Sequence, residues 1–552
     1  MAKVYGIDLG TTYSCIASCA SRDGKTIDKI DIVHPRNAVM GGVNLPSVIY
    51  YEKDTGEPVV GLSAKNFLGA PGEVSRIMTF TKRYMGDEFY PRKIQVMKDE
   101  INISPIEGSA CILHHLLTCA NEESKGNGGE TTKKAVVTIP AGFTNKQREC
   151  TKLAAELAGI EVLGLVHEPT AAAISYGIQS GETVLVFDLG GGTLDVSIVT
   201  NNKGSYKVIA AAGDFDILGK NLGGKDWDDK LLELAMDKHR YKLGSIPNLQ
   251  QETELWQLRN KIEECKISLS TMQEVQVGFP DFTFEKISRK EFESYTDTLI
   301  KDCLKVVKAT LEKADKESNK EPVKIDRCVL SGGSSNMPMI KNSLSRYLAG
   351  RVANGRTEDK WLHIANPERA IAEGAARYAF MLANNLASND GFLVNVEEKS
   401  SHSYGTSIRE RDKRNNVVKE TYIKNLILST DPMIVNSKDF EFSVMNNGQK
   451  TVPVDLYENN STEEKFPFNE SLNKIYDVHY EFDPEKKVTT NTIVRFKVSR
   501  DKDGIVTIEV ESPGHPSKKY SISTVIPPIT EEVKKHIIQS INLMDLIPED
   551  CK

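Results

Sequence analysis

The sequence predicts an α/β region followed by an all-β sandwich domain and one short C-terminal helix. Three observations carry this reading. Strand-like and helix-like stretches alternate from Ala2 to about Asn385, the arrangement expected of layered α/β architecture. The texture changes across "LASNDGFLVNV" (386–396), a polar hinge followed by a short apolar run. Beyond it, period-two alternation dominates in "FEFSVM" (440–445), "TVPVDLY" (451–457), "TIVRFKVSR" (492–500) and "GIVTIEV" (504–510).

In the first region, helices are expected over "NKQRECTKLAAELAG" (145–159), "ETELWQLRNKIEECKISLS" (252–270) and "RKEFESYTDTLIKDCLKVVKATLEKA" (289–314). The divisions that follow are residues 1–385 for the α/β domain, 386–396 for a linker, 397–528 for the β domain and 529–552 for a helical tail. In the tail, Thr530 serves as N-cap and glutamates occupy the first turn. Pro453 lacks a ladder donor, so its strand is expected to be an edge or locally distorted.

Bulk properties narrow the class. The 552 residues suffice for several cores, and 39% hydrophobic with 27% charged residues is ordinary globular composition. A formal net charge of −7 gives no electrostatic reason to expect nucleic acid as a partner. No stretch reaches the ~20 apolar residues needed to cross a bilayer, so no membrane partner is expected. A cleaved leader is not expected, because strand-like sequence begins at Lys3, and the final "LIPEDCK" carries no retention or lipidation signal. Nine cysteines without CxxC pairing fit free thiols in a reducing compartment, cytosolic or nuclear.

The chemistry is read from a repeated pattern. "KVYGIDLGTTYSCIA" (3–17) and "TVLVFDLGGGTLDVSIV" (183–199) share one shape: apolar strand, aspartate, glycine-rich turn, apolar strand. One such turn is weak evidence, since glycines also serve plain hairpins. Two copies suggest duplicated halves that present a hairpin each to a shared cleft. Backbone N–H groups of a glycine turn can approach phosphate oxygens closely, Thr11, Thr12 and Thr193 can add hydroxyl donors, and Asp8, Asp188 and Asp195 supply hard oxygen ligands for Mg²⁺. Neither turn is a Walker loop or a dinucleotide fingerprint, which leaves an actin-like ATPase architecture.

The chain resembles the seventy-kilodalton heat-shock chaperone family over almost its whole length. The matching motifs occur in order: "GIDLGTTYSC" (6–15), "KRYMG" (82–86), "AVVTIPAGF" (135–143), "HEPTAAAISYG" (167–177), "VFDLGGGTLDVSI" (186–198), "LGGKDWD" (222–228), "LSGGSSNMP" (330–338) and "ANPERAIAEGAA" (365–376). The resemblance implies duplicated ribonuclease-H-like halves in the first domain, a slow hydrolysis of ATP to ADP and phosphate, and the cofactors ATP/ADP, Mg²⁺ and K⁺. Asp8, Asp188 and Asp195 would hold the hydrated ions, mostly through water. Gly10, Thr11, Thr12 and Tyr13 would form one phosphate loop, and Gly190, Gly191, Gly192 and Thr193 the other. Lys82 would orient the attacking water and Glu168 the metal's water shell, as suits a reaction that depends on positioning and charge neutralisation. Read without the family, the lesser alternative for Lys82 is a solvated surface lysine.

On the adenosine side, Glu263, Lys266 and Ser270 share one face of an expected helix, and Gly224, Gly332, Gly333, Ser334 and Glu368 match the rest of the pocket. Two family arginines that flank adenine are replaced by Ile267 and Asn336, and Glu368 stands where an aspartate is usual. Base stacking is worth about 1–3 kcal/mol, so affinity is expected to be lower by one or two orders of magnitude. Pro140, Arg148 and Glu168 match residues that relay nucleotide state to the β domain, whereas Gly142 replaces an aromatic and the linker holds fewer leucines.

The β domain would clamp an extended apolar peptide, with Phe440 and Val452 near its side-chain pocket, although core packing explains both residues equally well. The family's helical lid would be cut to about its first helix, so peptide exchange should be fast. Implied partners are unfolded or nascent polypeptides, a J-domain co-chaperone and a nucleotide exchange factor. Two functions stay open: an ATP-dependent folding chaperone, and a weakly or non-hydrolysing regulatory co-chaperone, in some relatives ribosome-associated, that binds ATP structurally. A sugar or glycerol kinase of the same superfold is excluded by the β domain.

Overall fold

The computed structural model describes residues 2–545 apart from 25, 40–41, 141, 203–204, 244–251, 280–281, 319–320, 353–360, 365–368, 385–395, 398–401, 412–417, 429–430, 432–434, 460, 471, 502–505, 522–528 and 530. Thr530, Glu368 and all of the 386–396 hinge except Val396 therefore lie outside the described residues. The chain forms two compact units: residues 1–141, 151–396 and 530–552 make the first, and residues 142–150 with 397–529 the second.

Two sheets of one topology build the first unit. In one, the strand Ala2–Asp8 pairs in parallel with Lys134–Ile139, which continues in parallel to Glu161–His167; on its other side it runs antiparallel to Tyr13–Ser21 and onward to Lys29–Ile32. In the other, Thr183–Leu189 is parallel to Arg327–Ser331 and then Leu362–Ile364, and antiparallel to Leu194–Asn202 and then Ser205–Gly213. Both central strands are buried along their length, which is why they read as continuous apolar runs ending in a single acid. Val396 joins the outer edge of the second sheet.

A seam of small residues holds the halves together. The helices Glu168–Ser175 and Ala370–Ala383 pack with valines of both sheets into one core. A Cβ at Gly374 would stand 1.8 Å from the Ala171 carbonyl oxygen, so the "TAAA" and "EGAA" stretches are required to let two helix backbones touch. A second core lies under Thr183–Leu189, around Phe187, Trp227, Phe284 and Phe292.

Helices occupy most of the expected stretches: Asn145–Leu157, Glu252–Leu269 and, for 289–314, two helices rather than one. Arg289–Tyr295 opens with a capping box between Ser288 and Glu291 and stops at Thr296, whose φ of −101° and ψ of 10° break the helix before Asp297–Glu317 begins. The Thr296 hydroxyl donates to the Phe292 carbonyl at 2.8 Å and satisfies the broken turn.

The second unit is a sandwich. One sheet runs Lys465–Pro467, Val418–Ile427, Ser403–Arg411, Thr451–Asn459, Asn473–Glu481; the other runs Val435–Ser443, Ile493–Arg500, Val506–Glu511, Lys518–Ser521. Tyr404, Val454, Leu456 and Tyr480 from one face meet Phe496, Val498, Ile508 and Val510 from the other. Pro453 behaves as its chemistry requires. Its strand pairs along its length with Asn473–Glu481, but with Ser403–Arg411 only from Tyr457 onward, so proline stands where the second ladder is absent. There the Asp455 carboxylate accepts from the Ser407 amide at 3.0 Å and the Thr406 hydroxyl at 2.8 Å.

Candidate functional site

The two glycine turns face each other in a cavity of about 560 Å³ within the first unit. Each turn is the loop of a hairpin whose first strand ends in an acid. In the first, Asp8 lies opposite Cys15; in the second, Asp188 lies directly opposite Asp195. Lys82, from the short 3₁₀ turn Thr81–Tyr84, and Glu168, from the first position of its helix, complete the floor as a buried ion pair. Lys82 is 4% exposed, which rules out a solvated surface lysine.

Asp8, Glu168, Asp188 and Lys82 line the cavity; Asp195 does not, but it lies within electrostatic reach of Glu168, Asp188 and Lys82, and the five groups perturb one another. Burial pushes Asp8 up to about 7, with Glu168 adding to the shift and Lys82 and the Thr138 hydroxyl opposing it. Burial and then Glu168 hold Asp188 and Asp195 well above the carboxylate range. Burial alone would lower Lys82, but Glu168 and Asp8 outweigh it and hold the ammonium above its ordinary value. The Asp188 Oδ1 atom is buried with no hydrogen-bond partner among the described residues. A divalent cation fits such a donor set, because it would favour ionisation of every acid around it. Among the described residues no three acidic, histidine or cysteine side chains are grouped for direct metal ligation, so a hydrated ion suits the spacing better than a bare one.

The turns interlock as well as face the cavity. A Cβ on Gly191 would lie 2.0 Å from Thr12 Oγ1, and one on Gly192 would lie 2.6 Å from Thr11 Cγ2. Glycine is therefore demanded by contact between the turns in addition to the open approach a phosphate needs. Backbone bonds fix the second turn: the Gly190 amide donates to Thr193 at 3.0 Å, and the Gly224 and Lys225 amides donate to Gly190 and Gly191 at 2.9 Å. The first turn is held by side chains, with the Gly10 amide donating to Ser14 Oγ at 3.1 Å and Ser47 Oγ donating to the Gly10 carbonyl at 2.8 Å.

The cavity continues along the helix Glu252–Leu269. Glu263, Lys266 and Ile267 line it from the helix; Ser270 lines it from the turn just beyond, because the helix ends one residue sooner than its apolar pattern suggests. Gly332, Gly333, Ser334 and Asn336 form the facing wall; Gly224 does not line the cavity but packs behind it, where a Cβ would stand 2.3 Å from Ser334 Oγ. Lys266 is buried, donates to the Gly224 carbonyl at 3.0 Å and pairs with Asp228 at 2.8 Å. Burial raises Asp228 to about 6 against the pull of Lys266. Ile267 is 58% exposed, an apolar side chain left in solvent at the rim. The Asn336 amide donates to the Gly333 carbonyl at 3.2 Å.

Sequence reasoning missed several residues. Lys65 bridges Glu263 at 3.0 Å and the Tyr13 hydroxyl at 3.3 Å, tying the first turn to the cleft helix. Arg83 donates to the Gly192 carbonyl at 2.6 Å; its place beside Lys82 in "KRYMG" was the available signal. Asp214 accepts from the Leu194 and Leu222 amides and anchors the second hairpin, with nothing in its sequence context to mark it.

The remaining candidates are scattered. Pro140 directly follows the strand Lys134–Ile139, and Arg148 is buried in the helix Asn145–Leu157. Phe440 and Val452 lie in different sheets of the second unit, opposite Phe496 and Tyr480, both partly buried against the shared core.

Paired sheets of one topology, two interlocked glycine turns and buried acids beside a lysine define the class: a mixed α/β protein with a cleft between two glycine turns, joined to a β-sandwich. The chain belongs to the Hsp70 protein family, whose model matches residues 4–540. Members of that family are in general chaperones and ATPases that bind ATP or ADP with Mg²⁺, act on unfolded polypeptides and work with co-chaperones. No helix among the described residues is long and apolar enough to cross a membrane.

Proposed function

We propose that this chain is an ATP-dependent chaperone of the cytosol or nucleus, in which slow hydrolysis in the α/β domain (1–385) switches the affinity of the β domain (397–528) for extended apolar peptide. The observation that carries this reading is the buried Lys82–Glu168 pair among Asp8, Asp188 and Asp195, on the floor between two glycine turns. Mg²⁺ would supply charge neutralisation at the phosphates. Asp8, Asp188 and Asp195 would hold its water shell and K⁺, and Glu168 would orient that shell. The amides of Gly10 and Gly190–Gly192, with the hydroxyls of Thr11, Thr12 and Thr193, would cradle the phosphates. Lys82, held protonated by its acidic neighbours, would align the attacking water. Tyr13 would be fixed by its contact with Lys65, and Glu263, Lys266 and Ser270 would receive the ribose and base.

Ile267 and Asn336 favour a second reading, in which hydrolysis is weak or absent and ATP serves as a structural ligand of a regulatory co-chaperone. Single-turnover hydrolysis of labelled ATP decides between them. Under the first reading, Lys82→Ala slows the step by roughly 10²–10⁴-fold while nucleotide still binds. Wild type and variant that are equally inert would leave the structural role. For the second unit, anisotropy of a labelled leucine-rich extended peptide should report binding with ADP and release with ATP; no binding in either state removes the peptide role.

A further inference from the structure

The tail helix Glu531–Asp545 belongs to the first unit, more than 400 residues away from its packing partners in sequence, and sits on the helix Pro105–Gly126 and the strand Pro58–Val60. Its inward face is apolar, with Ile537, Ile541 and Met544 buried, while Lys534, Lys535 and Ile538 point to solvent. In the middle of that apolar contact stands a carboxylate. Glu107 is 1% exposed, yet both its oxygens are satisfied: Oε1 accepts from the Tyr51 hydroxyl and from the Ser540 hydroxyl, each at 2.9 Å, and Oε2 lies 2.9 Å from His536 Nδ1. Two of the three partners come from the tail. Without the tail helix, Glu107 would keep only Tyr51, and an underpaired carboxylate in an apolar surround is costly.

We propose that protonation of His536, through its contact with the buried Glu107 carboxylate, sets how firmly the chain's own tail helix is held on this surface. This inference does not depend on what binds in the nucleotide cleft. The i, i+4 spacing of His536 and Ser540 places both on the buried face, so one carboxylate can receive both.

The other described titratable groups that face Glu107 or the tail keep one charge state near neutrality or bond elsewhere. Burial and then Glu107 hold the Tyr51 phenol and the Cys111 thiol, one turn along from Glu107, well above their ordinary values, so both stay protonated. The strand Pro58–Val60 has no ionisable side chain. His114 and His115, on the same helix as Glu107, are engaged with the carbonyls of Ala158 and Arg36. On the tail itself, Glu532, Lys534 and Lys535 are exposed. Among the described partners of Glu107, His536 is the group that titrates in the neutral range, and its hydrogen bond to Glu107 holds it above the ordinary imidazole value despite burial. Because the docked value is raised, docking free energy is fully present below the undocked value and is lost as pH rises through the docked one.

The test is hydrogen exchange of residues 531–545 in the full-length chain at pH 6 and pH 8, corrected for intrinsic exchange. Wild type should be protected severalfold more at pH 6 than at pH 8. His536→Ala should lower protection and abolish the pH difference. Ser540→Ala should lower protection but keep the difference. Glu107→Gln, which retains an acceptor without the charge, should lose the difference while circular dichroism stays native. Equal wild-type protection at the two pH values, or a pH difference that survives in His536→Ala, would overturn the proposal, and His536→Ala reads the tail alone if Glu107→Gln fails to fold.

Discussion

The two hairpins that meet in the cleft come from sheets of one topology but do different physical work. The first carries one acid, Asp8, and its turn is braced by the hydroxyls of Ser14 and Ser47. The second carries two acids directly across from each other, and its turn of three glycines is held by backbone bonds from Gly224 and Lys225 and by the Arg83 guanidinium. The first turn thus brings side chains, Thr11 and Thr12, and the second brings the absence of side chains that lets them in. Duplication supplies the frame; the asymmetry between the copies lets the two turns interlock.

The sharpest way to break this complementarity is Gly191→Ala. Its methyl group would collide with the Thr12 side chain, so the turns must part, and nucleotide affinity measured by calorimetry should fall below detection while the fold persists. Gly190→Ala, whose Cβ would meet nothing closer than 3.7 Å, should be milder, and equal damage from both would refute the interlock. Next in size, adding the missing guanidinium to the cleft rim should tighten binding: Ile267→Arg with Asn336→Arg gains about one to two orders of magnitude in Kd if the base stacks there. Unchanged affinity would place the base elsewhere.

The smallest effect is one of pH, and it separates the acids of the two hairpins from their surroundings. Asp8 has a raised folded value of about 7, so its contribution to the stability of the free protein is present in acid and is lost as pH rises from its ordinary value of 3.8 through about 7. A bound Mg²⁺–nucleotide reverses that penalty. The gain in Tm on adding it should therefore be larger at pH 8 than at pH 5.5, and Asp8→Asn should shrink the difference.

Much of the site was legible because the residues that make it are sequence-local. Asp8 with its turn, and Asp188 to Asp195, each fall within one hairpin, where an apolar run interrupted by an acid and glycine, weak evidence once, becomes a signal by its repetition. Lys82, Glu168, Lys266 and Ser334 were found only through resemblance, since an isolated lysine or glutamate has no local signature. Arg83, Lys65 and Asp214 went unseen for a related reason: their partners are Gly192, Glu263 and Leu222, and no spacing links them. The helix expected over 289–314 broke because Thr296 satisfies its own turn, a choice that periodicity does not register.

The sequence by itself determined the strand and helix alternation, the two acidic glycine turns and the β-rich second unit, because hydrophobic periodicity and turn chemistry act within a few residues. Only the tertiary structure decided which acids are buried together, in which direction burial and mutual repulsion displace their protons, that Thr11 and Thr12 fill the space Gly192 and Gly191 leave, and that His536 and Ser540 satisfy a carboxylate more than 400 residues away. Those depend on packing two distant stretches of chain to within a few ångströms, where desolvation and close contact take over from local preference.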